Sequence, residues 1–242
     1  MIPLRDENPT RTTPIVVIIL IALNVLVFAI DSLGAHDHAG ALMQFRLVPL
    51  NVINALHGSP SIAPAVHPVW LTILTSMFMH ANLLHIGGNM LYLWIFGNNI
   101  EDVLGHTKFL LFYLAGGVAA ALAHILSTAG DPRMAAVPTV GASGAIAAVL
   151  GAYLILFPSA RVICLIPLGY FITTARVPAV IVLVLWIGMQ FLSVSLGGYG
   201  GASHGVAYWA HIGGFVTGIL LILIFAGRRR PESRYRNHYP EW

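Results

Sequence analysis

The chain has 242 residues, of which 57% are hydrophobic and only 9% are charged, and its formal net charge is +3. Soluble domains carry roughly a quarter charged residues, so this composition excludes a water-soluble globular protein and predicts one embedded in lipid. The basic residues gather at the ends of apolar stretches, which indicates membrane topology rather than a nucleic-acid partner. The single cysteine, Cys164, excludes an internal disulfide and a multi-cysteine metal site.

Six apolar stretches are long enough to cross a bilayer core of about 30 Å as helices. They run approximately over residues 14–30, 81–100, 109–126, 140–157, 177–196 and 206–226. A seventh stretch, 162–172, is too short to span and is broken by Pro167 and Gly169, so we expect an interfacial or re-entrant connection there. The sequence therefore predicts an all-α polytopic membrane protein. Its six-span domain is expected at 14–227, between a cytoplasmic N-terminal segment, 1–13, and a basic tail, 228–242.

The distribution of Lys and Arg predicts the orientation of the six spans, because these residues are enriched on the cytoplasmic side. Only two basic residues fall in the odd-numbered, outer connections: Arg46 and Arg133. The other ten fall on the opposite side: Arg5, Arg11, Lys108, Arg161, Arg176, Arg228, Arg229, Arg230, Arg234 and Arg236. Both termini are therefore expected to be cytoplasmic.

Polar residues stand at a similar depth in three spans that all begin at the outer face. Span two carries His85 and Asn89, whose i, i+4 spacing places them on one helical face. Span four opens with Gly141-Ala142-Ser143-Gly144, and span six carries His211. Polar groups within a membrane span are costly and point to function, so we expect these residues to share one site.

These residue types suit acyl transfer. A serine hydroxyl needs a base to become a nucleophile, and neutral histidine is the usual base near neutral pH. Ser143 is therefore the candidate nucleophile and His211 the candidate base, while His85, Asn89 and the Ser143 amide are candidate oxyanion donors. Gly141 and Gly144 would let a substrate backbone approach. No carboxylate lies in this layer, so the sequence predicts a Ser–His dyad.

Small residues on spans four and six predict a close contact between these helices. Gly214 and Gly218 form a Gly-x-x-x-Gly face one turn below His211, and Gly144, Ala148 and Gly151 line span four below Ser143. Taken singly, each feature has a plainer interpretation. Gly-x-Ser-Gly is often helix packing, and His124 in span three is taken as a structural residue. A metal is not expected, because the i, i+5 spacing of His80 and His85 is poor for chelation.

The combined pattern resembles the rhomboid family of intramembrane serine proteases. The motifs that carry the resemblance are His80-x4-His85-x3-Asn89, Gly141-Ala142-Ser143-Gly144 and Ala210-His211-Ile212-Gly213-Gly214-x3-Gly218. It implies the same roles for Ser143 and His211, a structural role for Glu101, and no metal or cofactor. It also implies membrane-anchored substrates, here single-pass transmembrane proteins, and a fifth span that covers the site. We expect an integral location in a bacterial cytoplasmic membrane, with the site opening to the outer side.

Two positions depart from that resemblance. The Trp-Arg pair that many relatives carry in the first outer loop is replaced by Trp70-Leu71, and the tyrosine that some place against the catalytic histidine is Ala147. Two other classes stay open. A small transporter would need polar residues that continue toward the cytoplasm, and a non-catalytic membrane chaperone of the same fold would lack reactivity toward a serine probe.

Overall fold

A computed structural model describes residues 1–34, 42–168, 171–196 and 206–226. The basic tail predicted at 228–242, and the connection between the fifth and sixth spans at 197–205, lie outside the described residues. Within them, the chain is mainly helical.

Helices overlap all six predicted spans. Three are long and apolar enough to cross a membrane: α1 (Ile15–Gly34), α6 (His106–Thr128) and α10 (Tyr208–Phe225). Two apolar helices are shorter, α8 (Ser143–Leu156) and α9 (Ala179–Ser195). In the second predicted span, α4 (Leu83–Tyr92) continues through a π-helical stretch, Leu93–Gly97, into α5 (Asn98–Leu104). Outside the spans lie α2 (Pro49–Leu56), α3 (Leu71–Thr75), α7 (Pro132–Ala135) and two 3₁₀ turns, Met43–Phe45 and Ser76–Phe78.

A three-stranded antiparallel sheet corrects the prediction of an all-α chain. Its strands, in the order β1-β2-β3, are Ile2–Asp6, Arg161–Leu168 and Phe171–Pro178. The stretch 162–172 is therefore not a re-entrant connection. Val162 and Cys164 are fully buried and alternate with more exposed neighbours, which is the two-residue period of a strand. Its β-branched residues favour that conformation.

The N-terminal residues pack onto the ends of helices. The carboxylate of Glu101 is completely buried and accepts hydrogen bonds from the amides of Val16 and Val17, at 2.9 and 2.8 Å. These amides belong to the first turn of α1, whose N–H groups have no partner within the helix. Asp6 accepts hydrogen bonds from the Tyr153 hydroxyl at 2.6 Å and from Asn99 Nδ2 at 2.9 Å. The structural role expected for Glu101 thus has a physical basis.

Helix α8 lies at the centre of the molecule, where residues 144–153 are all buried. It packs against α6 and α10. A Cβ atom built on Gly214 would overlap the carbonyl oxygen of Gly144, and one built on Gly218 would overlap that of Ala148. The backbones of α8 and α10 are therefore in the close contact that the small residues predict, because only glycine fits at these two positions.

Candidate active site

The polar residues predicted to share a site line one cavity of about 570 Å³. Its walls come from α4, α6, α8, α9 and α10 and from the segment that precedes α8. The polar side chains that line it include His85, Asn89, His124, Thr139, Ser143 and His211, together with Ser76, Asn82 and Tyr92. Most of the other lining residues are apolar, so these groups face a cavity with few competing polar partners.

A tight backbone turn places Ser143 at the start of α8. Gly141 has φ +127°, a conformation that side chains of L residues rarely adopt, and its N–H donates to the carbonyl of Ser76 at 2.9 Å. A Cβ atom on Gly141 would lie only 2.8 Å from His85 Nε2. Glycine is therefore required here on two counts, and the turn brings the first residue of α8 beside the side chains of α4.

Ser143 and His211 are in direct contact. The Oγ atom of Ser143 lies 2.8 Å from Nε2 of His211, within the reach expected for a nucleophile and its base. The second nitrogen of His211, Nδ1, lies 2.8 Å from Oε1 of Gln190 on α9. Three helices thus meet at the imidazole ring.

His85 and Asn89 present two hydrogen-bond donors beside this contact. The N–H of Ala81 donates to His85 Nδ1 at 3.4 Å, which leaves the proton of a neutral ring on Nε2. Asn89 is 7% exposed, and its Nδ2 is buried without a hydrogen-bond partner among the described residues. A buried donor without a partner is costly. The Nδ2 atom would lie 3.6 Å from a Cβ built on Gly141, two residues before Ser143 in the chain.

The two glycines that flank Ser143 have different surroundings. Gly141 faces His85 and Asn89, as described above. A Cβ on Gly144 would instead lie 2.6 Å from the Cβ of Ala120 on α6. Gly144 therefore permits helix packing directly behind Ser143, in addition to lining the cavity.

Two residues of α9 that contact His211 were not predicted from the sequence. Gln190 contacts the base, and the Trp186 ring lies 5.5 Å from the His211 ring at an interplanar angle of 39°. An aromatic side chain thus packs on His211 from α9, whereas α8 has Ala147 at the position where some relatives place a tyrosine. The sequence does mark Gln190 as a candidate, because a polar amide within an apolar span points to a function. However, Gln190 belongs to no recognised motif.

His124 has a structural contact that fits its assignment in the sequence. Its Nε2 lies 3.0 Å from the Thr139 hydroxyl, and the backbone of Thr139 pairs with that of Leu47. His80 packs edge-on against His85, with ring centroids 5.1 Å apart. Both histidines therefore support the walls of the cavity around the candidate residues.

Comparison with known proteins identifies the family. The model of the Rhomboid domain matches residues 67–228, about two thirds of the chain. The chain belongs to the rhomboid family. This match covers every candidate site residue, from His85 to Gly218, and with the apolar helices it makes the chain a membrane protein of that family.

Individual rhomboid relatives are similar at moderate identity. Rhomboid protein 1, mitochondrial, of Saccharomyces cerevisiae is 29% identical over 154 residues, which cover 52% of this chain and 42% of the yeast protein. Rhomboid protease GluP of Bacillus subtilis is 29% identical over 149 residues, 62% of this chain and 25% of the relative. The human presenilin-associated rhomboid-like protein, mitochondrial, is 31% identical over 160 residues, which cover 64% of this chain and 38% of the human protein. The chain thus spans less than half the length of these curated relatives.

Proposed function

We propose that the protein is an intramembrane serine endopeptidase that cleaves membrane-anchored proteins within or beside their transmembrane helix. The observation that carries the proposal is the 2.8 Å contact between Ser143 Oγ and His211 Nε2, in a cavity where Asn89 holds an unpartnered donor. A relative named as a protease, GluP, supports the same activity.

In the proposed reaction, His211 Nε2 takes the proton of Ser143 as Oγ attacks the carbonyl carbon of the scissile peptide bond. The negative charge that develops on the carbonyl oxygen is stabilised by His85 Nε2–H, Asn89 Nδ2–H and the Ser143 amide. His211 then gives its proton to the leaving amine, and the new N-terminus departs. Water, deprotonated by the same histidine, hydrolyses the acyl-enzyme and restores Ser143. Each step uses only these side chains and water, so no cofactor enters the proposal.

The substrates proposed are single-pass transmembrane proteins, because a cavity between helices admits an extended segment more readily than a folded domain. The membrane proposed is the bacterial cytoplasmic membrane, with both termini in the cytoplasm and the site open to the outer side. The orientation in this proposal rests on the Lys and Arg distribution. The relatives include mitochondrial as well as bacterial proteins, so they support a membrane location without selecting the compartment.

The test is covalent labelling by a fluorophosphonate of purified protein reconstituted in liposomes. We expect labelling at Ser143 and cleavage of a reporter transmembrane substrate, and we expect Ser143→Ala and His211→Ala each to abolish both. Ser195→Ala is a matched control, because among the described residues this hydroxyl donates to the Phe191 carbonyl within α9 and contacts neither Ser143 nor His211. A protein that binds the reporter but shows neither labelling nor cleavage would instead be a non-catalytic membrane chaperone.

A further inference from the structure

Gln190 is a polar residue in a costly position. It is 9% exposed and lies in α9, a helix whose other residues are almost all apolar. A polar side chain in a membrane span is retained where it has a partner or a function. The partner of Gln190 is His211, whose Nδ1 lies 2.8 Å from Oε1 of the amide.

The other end of the amide fixes the direction of this hydrogen bond. Gln190 Nε2 donates to the carbonyl oxygen of Trp186 at 3.1 Å, one turn earlier in α9. The amide oxygen therefore faces His211, and because an amide oxygen can only accept, His211 Nδ1 must donate. A neutral imidazole that carries its proton on Nδ1 has its lone pair on Nε2. That lone pair points to Ser143 Oγ, 2.8 Å away.

We propose that Gln190 is a positioning residue for the reaction, which holds His211 in the tautomer and orientation that accept the proton of Ser143. The proposal rests on the proposed protease function. It replaces the two-residue arrangement predicted from the sequence with a chain of three side chains, Gln190–His211–Ser143. A neutral amide serves in this position in the Cys-His-Asn arrangement of papain-like proteases.

The same contact also stabilises the charged intermediate. When His211 takes the proton of Ser143, its Nδ1–H continues to donate to the amide oxygen, and a bond from a charged donor is stronger than a neutral one. Trp186 packs against the ring from the same helix. Helix α9 therefore supplies two contacts that orient the base: the hydrogen bond from His211 Nδ1 to Gln190 and the packing of Trp186 against the imidazole ring.

Two substitutions separate this role from simple packing. Gln190→Met keeps the length and approximate volume of the side chain but removes the acceptor. Gln190→Glu keeps an acceptor and adds a negative charge beside Nδ1. Catalytic rates of both variants are to be measured on a reporter transmembrane substrate in liposomes from pH 5 to pH 9. Ser195→Ala, which removes a hydroxyl group elsewhere in the same helix, is the control.

We expect Gln190→Met to lower kcat at least about 10-fold with KM changed less than about twofold. The upper bound is the loss of about 10⁴-fold that follows when a serine protease histidine is held in the wrong tautomer. Gln190→Glu should retain more activity than Gln190→Met. The acid limb of the pH–rate profile of Gln190→Glu should move to higher pH. The reason is that the carboxylate favours the protonated imidazole, which cannot act as the base.

The titratable groups that share the cavity with His211 are His85 and Tyr92 on α4 and His124 on α6. No Asp, Glu, Lys or Arg is among the described residues that line it. Because His85, Tyr92 and His124 are present in every variant, a difference between the profiles of Gln190→Glu and the unmodified protein reports on position 190.

The proposal is overturned if Gln190→Met keeps both kcat and the pH profile of the unmodified protein while Ser143→Ala is inactive. If Gln190→Met does not fold, an unchanged acid limb in Gln190→Glu overturns it. A different result, in which the unmodified protein is neither labelled by fluorophosphonate nor active, would reject the proposed function itself.

Discussion

At the scale of single residues, the membrane environment explains why most of the site is readable in the sequence. Ser143, His211, His85 and Asn89 stand out because polar groups are rare in apolar spans. The structure places all four around one cavity. Gln190 carries the same signal, but its role depends on which side chain faces it. That pairing is set by the contact of α9 with α10, and no spacing along one helix encodes it.

The unpartnered amide of Asn89 predicts a separation of activity from stability. Asn89→Ala should lower kcat by about 10²–10³-fold, the loss that follows removal of one oxyanion donor in a serine protease. Its melting temperature in detergent should be unchanged or higher, because the substitution removes a buried donor that has no partner in the part of the chain that the structure describes.

Asn24→Ala is the matched control for this prediction. Asn24 is also buried in a span, but it lies in α1 and its Nδ2 donates to the Leu20 carbonyl at 2.7 Å. This variant should keep the kcat of the unmodified protein. An Asn89→Ala protein that turns over reporter as fast as the unmodified protein would remove Asn89 from the oxyanion site.

At the scale of elements, patterns of small residues proved more informative than stretches of apolar ones. Glycines 214 and 218 predicted where α10 meets α8, and the structure has that contact. The apolar stretch 162–172 was assigned to an interfacial or re-entrant connection and not to strands, because a short apolar run does not by itself identify a strand. Its pairing partner, β1, lies about 160 residues earlier in the chain, so the sheet depends on a long-range contact with no local signature.

The contact between α8 and α10 predicts a large effect for Gly214→Val. The new side chain would overlap the carbonyl oxygen of Gly144, the residue that follows Ser143. The two helices must then separate, and a displacement of about 1 Å at reacting groups can cost on the order of 10²-fold in rate. We expect the variant to insert into the membrane but to lose about 99% of its cleavage activity.

The control for this substitution needs a glycine with free space. Gly117 on α6 is unsuitable, because a Cβ built there would overlap the side chain of Met77 and lie 3.2 Å from the Cβ of Ala145. Gly188 on α9 has no atom within 4 Å of such a Cβ. Gly188→Val should therefore cleave at a rate close to that of the unmodified protein. Equal activity of Gly214→Val and Gly188→Val would show that the glycine contact does not position Ser143 and His211.

At the scale of the whole molecule, several chain segments meet at the end opposite the cavity. Strand β1 pairs with β2, and Asp6 joins the end of α8 through Tyr153 and the start of α5 through Asn99. Phe112, near the start of α6, packs against Phe225 at the end of α10, with centroids 6.3 Å apart. The N-terminus, the sheet and the end of α10 therefore share one side, which supports an even number of crossings.

The distribution of charge predicts which side of the membrane this end occupies. Among the described residues, the end with the sheet carries Arg5, Arg11, Lys108, Arg161 and Arg176, whereas Arg46 and Arg133 lie in the connections predicted to be on the outer side. Basic residues close to spans are retained in the cytoplasm. We therefore expect the sheet to be cytoplasmic and the cavity to open toward the outer side.

Because Cys164 is the only cysteine, a Cys164→Ala background permits single cysteines to report this topology. Ser59→Cys and Gly130→Cys mark the predicted outer side, and Lys108→Cys and Thr174→Cys mark the predicted cytoplasmic side; all four positions are exposed. In intact cells, a membrane-impermeant maleimide should label only the first pair, and permeabilised cells should show labelling of all four. Thr174 decides between the sheet and a seventh crossing, because a crossing at 162–172 would place it on the side opposite Lys108. Labelling of Thr174→Cys in intact cells, with Lys108→Cys still protected, would overturn the six-span arrangement.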